Sequence, residues 1–498
     1  MKITKKSIFF LLLISVISVG GALFAQGAVS RFGGRASEVQ SADEYTQMMQ
    51  YVYELIQNAY VENVDPQKLY QGAIEGMFKS LNDPYSMYLP PEELSDLNEN
   101  IVQGEYGGVG LYISKRNGMQ DNGEPWFVEV ASPIEDSPGW KAGIKPGDLI
   151  VEVEGKPTDK MSLDDTVALL KGPPNTKVTI KIRRGKTMEF PVSITRAIVE
   201  VPTVKYGLIG TAGNSPIGYL HLLSFSSHSL LRCQEAIDSF KRAGYTGLIL
   251  DLRGNYGGLL NASVDIAGLF LSGDTVVTVK SRNFKDEKHK AGTNPIVPQN
   301  IPIVVLIDES SASASEILAG ALKDRKRAYL VGTRSYGKGS VQQVWESPSI
   351  DEGYRITVAR YYTPSDVNID KIGIPPDMEV KFPEFTEADE ASLQKLMTDK
   401  KLSAFAEANP KAGAKQIEDA AAALIKDYPM NISLMRRLLR DEVNRTEIAP
   451  IYDMDYDVQL QAAVKILQDG SYNHLLQNAK TLKQLQDEAV LVPRQAGQ

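Results

Sequence analysis

The sequence predicts a multidomain chain: an α/β core, a β-rich module ahead of it, and helical regions at both ends. Three observations lead there. Within residues 196–385, the apolar runs "IGYLHLLSF" (217–225), "GLILDL" (247–252) and "IPIVVLID" (301–308) have strand length and alternate with helical patterns, which reads as α/β. Residues 103–195 change to short strands and turns. The flanking segments, 31–102 and 386–498, place apolar residues at helical spacing.

The elements follow in chain order. Lys2, Lys5 and Lys6 precede the apolar run "IFFLLLISVISVGGALFA" (8–25). A basic start followed by such a stretch reads as a signal sequence or a membrane anchor over residues 1–30. Export to the periplasm or cell envelope is the expectation, with residues 8–25 either cleaved off or kept as an inner-membrane anchor. Cys233 is the only cysteine, so no intrachain disulfide can form in that compartment. In 31–102, Met48, Tyr51, Val52, Leu55 and Ile56 mark one helix, and Leu69, Ala73, Ile74, Met77 and Leu81 a second. "NDPYSMYLPPEE" ends them, because proline cannot continue a helix. In 386–498, Val458, Leu460, Ala463, Val464 and Leu467 share a helical side.

Composition narrows the function classes. The chain is 43% apolar and 23% charged, with 62 acidic against 54 basic side chains and a net charge of −8. That balance supports a sizeable core and argues against nucleic-acid binding, which needs a basic stripe. "KDRKR" (323–327) is a short run at an expected helix C-terminus.

The most ambiguous motif is "YLVGTRSYGKGSVQQV" (329–344), in which Gly332 to Lys338 spells most of a phosphate-binding loop. Such a loop needs Ser or Thr after Gly-Lys to hold magnesium, and a helix whose N-terminus meets the phosphate. Position 339 is glycine, and "GSVQQVWE" favours a strand. A candidate acidic strand end, Asp308, precedes the loop rather than following it. Nucleotide binding is therefore rejected. No cofactor and no metal is expected.

Upstream, "VVLIDESSASASEILAGALKDR" (304–325) runs from a buried-type strand through small residues into a helix. Ser311, Ser313 and Ser315 stand at that junction, where a hydroxyl can be exposed beside the N–H groups of a first helical turn. A serine with oxyanion donors suits acyl transfer, but it needs a base. None of the four histidines, His221, His228, His289 and His474, lies in a triad context, and His221 reads as a core or edge residue of a strand. Lys338 can serve if its amine is neutral. At an ordinary pKa only about one lysine in 2,500 is neutral at pH 7, so burial or a neighbouring cation must lower the value by a few units. Ser311 is expected near the helix N-cap, with Ser315 a packing residue. Asp251 and Arg253 read as a structural pair.

Two resemblances complete the reading. "SPGWKAGIKPGDLIVEVEGKPT" (137–158) resembles the signature of PDZ domains, and "YGGVGLYI" (106–113) has the position of their peptide-binding loop. The likeness implies that Gly107, Gly108, Val109, Gly110 and Leu111 present N–H groups to a peptide's terminal carboxylate while the peptide adds as a strand. "LILDLRGNYGGLLNASVDIAGLFL", "ESSASASEILAGAL" and "GTRSYGKGSVQ" resemble the carboxy-terminal processing (tail-specific) serine peptidases, as do "LNDPYSMYLPPEE" and "TVARYYTPSDVNIDKIGIPPD". The resemblance implies a crotonase/Clp-protease-like core, Ser313 as nucleophile, Lys338 as base and Gln342 orienting the amine. It also implies an oxyanion hole from Ala314 with Gly257 or Gly258. If 338–342 is a strand, Lys338 and Gln342 share a face.

The expected activity is an exported endopeptidase that reads the C-terminal tails of proteins or peptides. The competing reading is a PDZ-containing envelope scaffold or regulator with little or no peptidase activity. Homo-oligomers, an adaptor protein and membrane contact by the N-terminal segment are further expected partners. The C-terminal extension is longer than the family core requires. Either it mediates oligomerisation or adaptor binding, or it is a plain exposed addition.

Overall fold

The computed structural model describes residues 36–492 apart from 117, 120–124, 186, 212–213 and 349. The expected leader, 8–25, lies outside the described residues. Among those described, no helix is long and apolar enough to cross a membrane.

The centre is a sheet in the order Val204–Thr211, Asn214–Leu222, Gly247–Asp251, Ile303–Ile307, Tyr329–Gly332, Met378–Glu379. The first pair is antiparallel and the rest are parallel. Strands 247–251, 303–307 and 329–332 are buried at every position, because helices cover both faces, as parallel sheets require. Alternate residues divide between two cores. Leu248, Leu250, Ile303, Val305, Ile307 and Leu330 face helices Ser229–Arg242, Leu260–Ala267 and Ala314–Asp324. Ile249, Val304, Leu306 and Val331 face Val458–Gln468 through Leu460, Ala463 and Val464.

A second sheet pairs Gly353–Tyr362 with Ser340–Glu346 on one side and with Met87–Leu89 and Thr275–Lys280 on the other. Strand Met87–Leu89 ties the N-terminal region to the core. The tie is reinforced at Glu352, whose carboxylate accepts the hydroxyls of Tyr70, Tyr88 (2.7 Å) and Tyr354 (2.6 Å).

The β-rich module has its own core of Val128, Val130, Ile150, Val178, Ile180 and Ile182. Its sheet runs Leu111–Ser114, Val128–Pro133, Leu149–Val153, Lys177–Arg184, Met188–Thr195, so Leu111–Ser114 is an edge strand. Glu105–Gly108 pairs with Ala197–Glu200 and clasps the two ends of the module. Helices Glu387–Thr398, Lys401–Ala408, Ala414–Leu424 and Ile432–Val443 enclose a separate core around Leu396, Leu402, Ile417, Met435 and Leu439. Arg445, just beyond them, pairs with Glu129 of the β-rich module (2.7 Å).

The first expected helix forms without burying its apolar face. Helix Ala36–Ala59 forms, but the stripe Met48, Tyr51, Val52 and Leu55 is exposed rather than buried, and Ile56 is half-buried. Periodicity identifies an apolar face without saying that the same chain covers it.

Candidate active site

The site forms where three parallel strands end, the usual position for ligands in open α/β sheets. After Ile303–Ile307 the chain turns sharply. The Asp308 carboxylate accepts the N–H groups of Ser310 and Ser311 (3.0 Å each) and of Gly254 (3.1 Å). Ser311, expected near the N-cap, instead donates its hydroxyl to the Leu252 carbonyl (2.8 Å) and pins two strand ends together. The N-cap of Ala314–Asp324 is Ser313, at φ 55° and ψ −113°. That is a strained conformation for a residue with a Cβ, of the kind that persists at functional sites. Its side chain makes no cap hydrogen bond to the helix.

Glu316, on the first turn, takes over the capping. Its Oε2 accepts the Ser313 N–H (2.9 Å) and also the Lys338 N–H (2.9 Å), while Oε1 accepts from Gly337 N–H (2.7 Å) and Ser335 Oγ (2.6 Å). One buried carboxylate thus holds the serine turn and the lysine loop on the same oxygen. Burial pushes this carboxyl upward, and the four hydrogen bonds oppose the rise. The Tyr361 hydroxyl adds a clamp by donating to the Lys338 carbonyl.

The Lys338 loop leaves Tyr329–Gly332 and enters strand Ser340–Glu346, with no helix following it. Glycine at 339 has a local reason: a Cβ there would lie 2.6 Å from the Asp370 nitrogen. Lys338 is 6% exposed, and its Nζ lies 4.6 Å from the centroid of the Tyr85 ring. Burial first, and then the Arg355 guanidinium, lower its amine from 10.5 to about 7 against the pull of Glu316, Asp83 and Asp370.

Gln342 does not sit beside Lys338 by simple strand alternation. The strand begins at Ser340, and its register shifts between Val341 and Gln342, so the period-two argument breaks there. The buried Gln342 amide donates from Nε2 to Ser340 Oγ (2.9 Å) and Thr357 Oγ1 (3.1 Å).

The glycine pair lies on the other side of Ser313. Asn255, fully buried, organises it: Nδ2 donates to the Leu222 carbonyl (2.7 Å), and Oδ1 accepts the Gly257 N–H (2.8 Å). The Asn255 carbonyl accepts from Ala312 N–H (3.0 Å) and Ser315 Oγ (2.8 Å), so the glycine loop is laced to the serine turn. Gly257 packs on Ser313, since a Cβ there would lie 2.9 Å from the serine's own Cβ. Gly258, at φ +143°, allows an approach of Phe225 that any side chain would block, its carbonyl lying 2.1 Å from the Cβ position. Among the described residues, neither Gly258 N–H nor Ala314 N–H donates to a protein acceptor.

The buried Asp251 pairs with the half-buried Arg253. Arg253 bonds Asp251 (2.6 Å), Asp457 (2.7 Å) and Gln459 (3.0 Å), and Tyr219 donates to Asp251 (2.7 Å). His221 is at the same strand end, its Nε2 3.2 Å from the Arg253 carbonyl. In the β-rich module, Gly107 and Gly108 belong to strand Glu105–Gly108 rather than to a loop. The turn proper is Val109–Gly110, with Gly110 at φ 72°, and Leu111 opens the edge strand. The Val109 carbonyl accepts from Gly139 N–H (2.7 Å) and the Gly110 carbonyl from Ile134 N–H (2.9 Å). Because peptide C=O and N–H groups are antiparallel, the N–H groups of Gly110 and Leu111 point away from those partners.

Sequence reasoning missed Glu316, Asn255, Arg355 and Tyr85. Glu316 carried a signal, since Ser313-Ala314-Ser315-Glu316 fits the S-x-x-E capping pattern. Arg355 carried a weaker one, as a charged residue between the apolar positions of a strand.

Comparison with known proteins identifies the family. Residues 216–380 match peptidase family S41, residues 129–184 match the PDZ domain, and residues 24–93 match the N-terminal domain of the activating protease CtpB. The carboxy-terminal-processing protease of Bartonella bacilliformis is 37% identical over 347 residues, covering 68% of this chain and 76% of that protein. The carboxy-terminal processing protease CtpA of Bacillus subtilis is 31% identical over 459 residues, covering 92% and 89%. Among solved structures, a photosystem II D1 C-terminal processing protease is 30% identical with a TM-score of 0.40, covering 68% of this chain and 93% of its own. With the fold, the PDZ module and relatives matched over most of their length, the chain belongs to the carboxy-terminal processing serine proteases of peptidase family S41.

Proposed function

We propose that this protein is an exported endopeptidase that engages the C-terminal tail of a protein substrate through its PDZ domain and cleaves it with a Ser313/Lys338 pair. The observation that carries this reading is the buried Lys338, its amine lowered to about 7 and its backbone held on the same Glu316 oxygen as the backbone of Ser313. A neutral amine at physiological pH can accept a proton. Ser313 Oγ attacks the scissile carbonyl carbon as its proton passes to Lys338 Nζ. The oxyanion is met by the N–H groups of Ala314 and Gly258, because Gly257 N–H is engaged by Asn255. Collapse expels the amine, which takes the proton from the Lys338 ammonium and leaves an acyl-enzyme. Water, deprotonated by Lys338, then attacks the ester, and the proton returns to Ser313 as the acid departs. Gln342 spends its Nε2 on Ser340 and Thr357 and so has its carbonyl oxygen left to orient the lysine.

Strand Leu111–Ser114 supports tail recognition. Its outer edge is open, and the N–H groups of Gly110 and Leu111 lie at its start, as strand addition with carboxylate capture needs. Export is supported by the basic and apolar N-terminal sequence. A homo-oligomer is supported by the exposed apolar face of Ala36–Ala59, which includes Tyr45, Met48 and Tyr51.

The test uses an unstructured substrate ending in apolar residues, supplied with a free carboxylate or with a C-terminal amide. Ser313→Ala and Lys338→Ala are each expected to abolish cleavage with the fold retained, and normal turnover in either would sink the pair. The amidated substrate is expected to be cleaved at least about tenfold more slowly, the loss of one charge-assisted contact. Equal rates would remove the PDZ domain as tail reader.

A further inference from the structure

Lys338 lies in a shell drawn from several segments of the chain. Helix Ala314–Asp324 contributes Glu316, the loop near the strand Gly353–Tyr362 contributes Asp370, and that strand itself contributes Arg355. The fourth contribution comes from outside the α/β core: the turn after helix Pro66–Ser80 brings Asp83 and Tyr85. That turn is fastened to the strand at two points. Arg355 Nε donates to the Tyr85 carbonyl (3.1 Å), and the Thr357 N–H donates to Ser86 Oγ (2.9 Å), which itself donates to Asp83 (2.6 Å). The guanidinium also lies 3.0 Å from the Met87 sulfur, and the Arg355 residue is only 3% exposed. So the arginine holds the backbone of the very residue whose ring lies against the lysine amine.

The charges around that amine are unequal in effect. The carboxylates of Glu316, Asp83 and Asp370 favour the ammonium, whereas the Tyr85 ring lying against the amine adds to the burial that disfavours it. Arg355, which itself faces the carboxylates of Glu93 and Asp83, is the one cation facing Lys338 among these groups, and in a site this dry its repulsion is weakly screened. We infer that Arg355 is a positioning residue for the base: it pins the turn that seats Tyr85 against Lys338, and it sets a fixed positive charge that keeps the lysine amine neutral. The inference rests on the Ser313/Lys338 reading and assigns to the N-terminal region a part in completing the site.

The experiment compares full-length wild type, Arg355→Gln and Arg355→Lys by kcat/KM on an unstructured peptide from pH 5 to 10. Wild type is expected to rise through a limb near the lowered lysine value, about 7. Arg355→Gln removes a neighbouring positive charge, so the limb moves to higher pH. A shift of one unit makes the variant about tenfold slower at pH 6, with recovery to near the wild-type rate above pH 9. Arg355→Lys keeps the charge and keeps the limb. A residue that only held the fold would slow the reaction equally at every pH. An unmoved limb in Arg355→Gln, or a uniform loss without alkaline recovery, would overturn the inference and leave the Ser/Lys pair standing. A wild-type profile without a limb near 7 would overturn both. Should Arg355→Gln not fold, Arg355→Lys decides: a limb displaced despite the retained charge contradicts the assignment.

Discussion

Two cations, Arg253 half-buried and Lys338 buried, lie close to the carboxyl edge of the same sheet and are treated in opposite ways. Arg253 is matched by Asp251, Asp457 and Gln459, with Tyr219 completing the hydrogen bonds of Asp251. Burial alone would raise the Asp251 carboxyl, but Arg253 overcomes it and holds the group below its usual range, while Arg253 itself is held more firmly protonated. Lys338 is more deeply buried than Arg253, its shell contains a second cation, and its amine moves toward neutrality. A buried charge with a full complement of partners is scaffold, here joining the strand end to the start of helix Val458–Gln468. A buried amine whose surroundings disfavour its charge is a candidate base.

The largest effect that would sharpen this contrast is Lys338→Met. Activity should fall by at least about 10⁴-fold, as for loss of a base in a nucleophile–base pair, while stability at pH 7 rises. The sign follows from linkage. With a folded value near 7 and an unfolded value near 10.5, the unfolded chain binds more protons between those limits, so wild-type stability climbs with pH across that window. Below it the cost is constant, on the order of 5 kcal/mol. Urea midpoints for the methionine variant should lack that climb, and an identical pH slope in both proteins would refute the assignment.

Arg253→Met should do the reverse. It leaves Asp251 and Asp457 without their cation and should cost about 3–5 kcal/mol, read as a fall in the urea midpoint. The kinetic profile of whatever folds should keep its limb near 7. A moved limb would show that the two cations are not separate in role.

Gly258→Ala comes next. The added Cβ meets the Phe225 carbonyl, so the peptide must turn and its N–H leaves the proposed oxyanion position, at an expected cost of about 10²–10³ in kcat. The smallest change is expected for Asn255→Asp, which keeps the acceptor for Gly257 N–H but loses the donor to the Leu222 carbonyl. That loss should destabilise by about 1–3 kcal/mol and lower kcat/KM less than Gly258→Ala does. The opposite ranking would place the donor at Gly257.

How much of this was legible in the sequence differs between the same two sites. The α/β core was readable because residues 248–250 and strand 303–307 are apolar at consecutive positions and are followed by abrupt turns. Gly339 and the strand after it were enough to reject a phosphate loop. Ser313 and Lys338 could be named from their motifs, but the forces acting on them could not. Arg355 and Tyr85 reach the lysine through long-range strand pairing of Gly353–Tyr362 with Met87–Leu89, which no local pattern encodes. The Lys338–Gln342 argument broke on a register shift between Val341 and Gln342 that residue types do not announce. The apolar stripe of Ala36–Ala59 was visible as a stripe, but its exposure depends on what packs against it.

The central claim, that the folded protein lowers the Lys338 amine into the physiological range, is tested most directly by titrating it. Ser313→Ala protein with ¹³C-labelled lysine is followed by NMR from pH 5 to 11, and the Cε resonance absent from Ser313→Ala/Lys338→Met is assigned to Lys338. The account predicts a midpoint near 7. A midpoint near the ordinary lysine value of about 10.4 would contradict it.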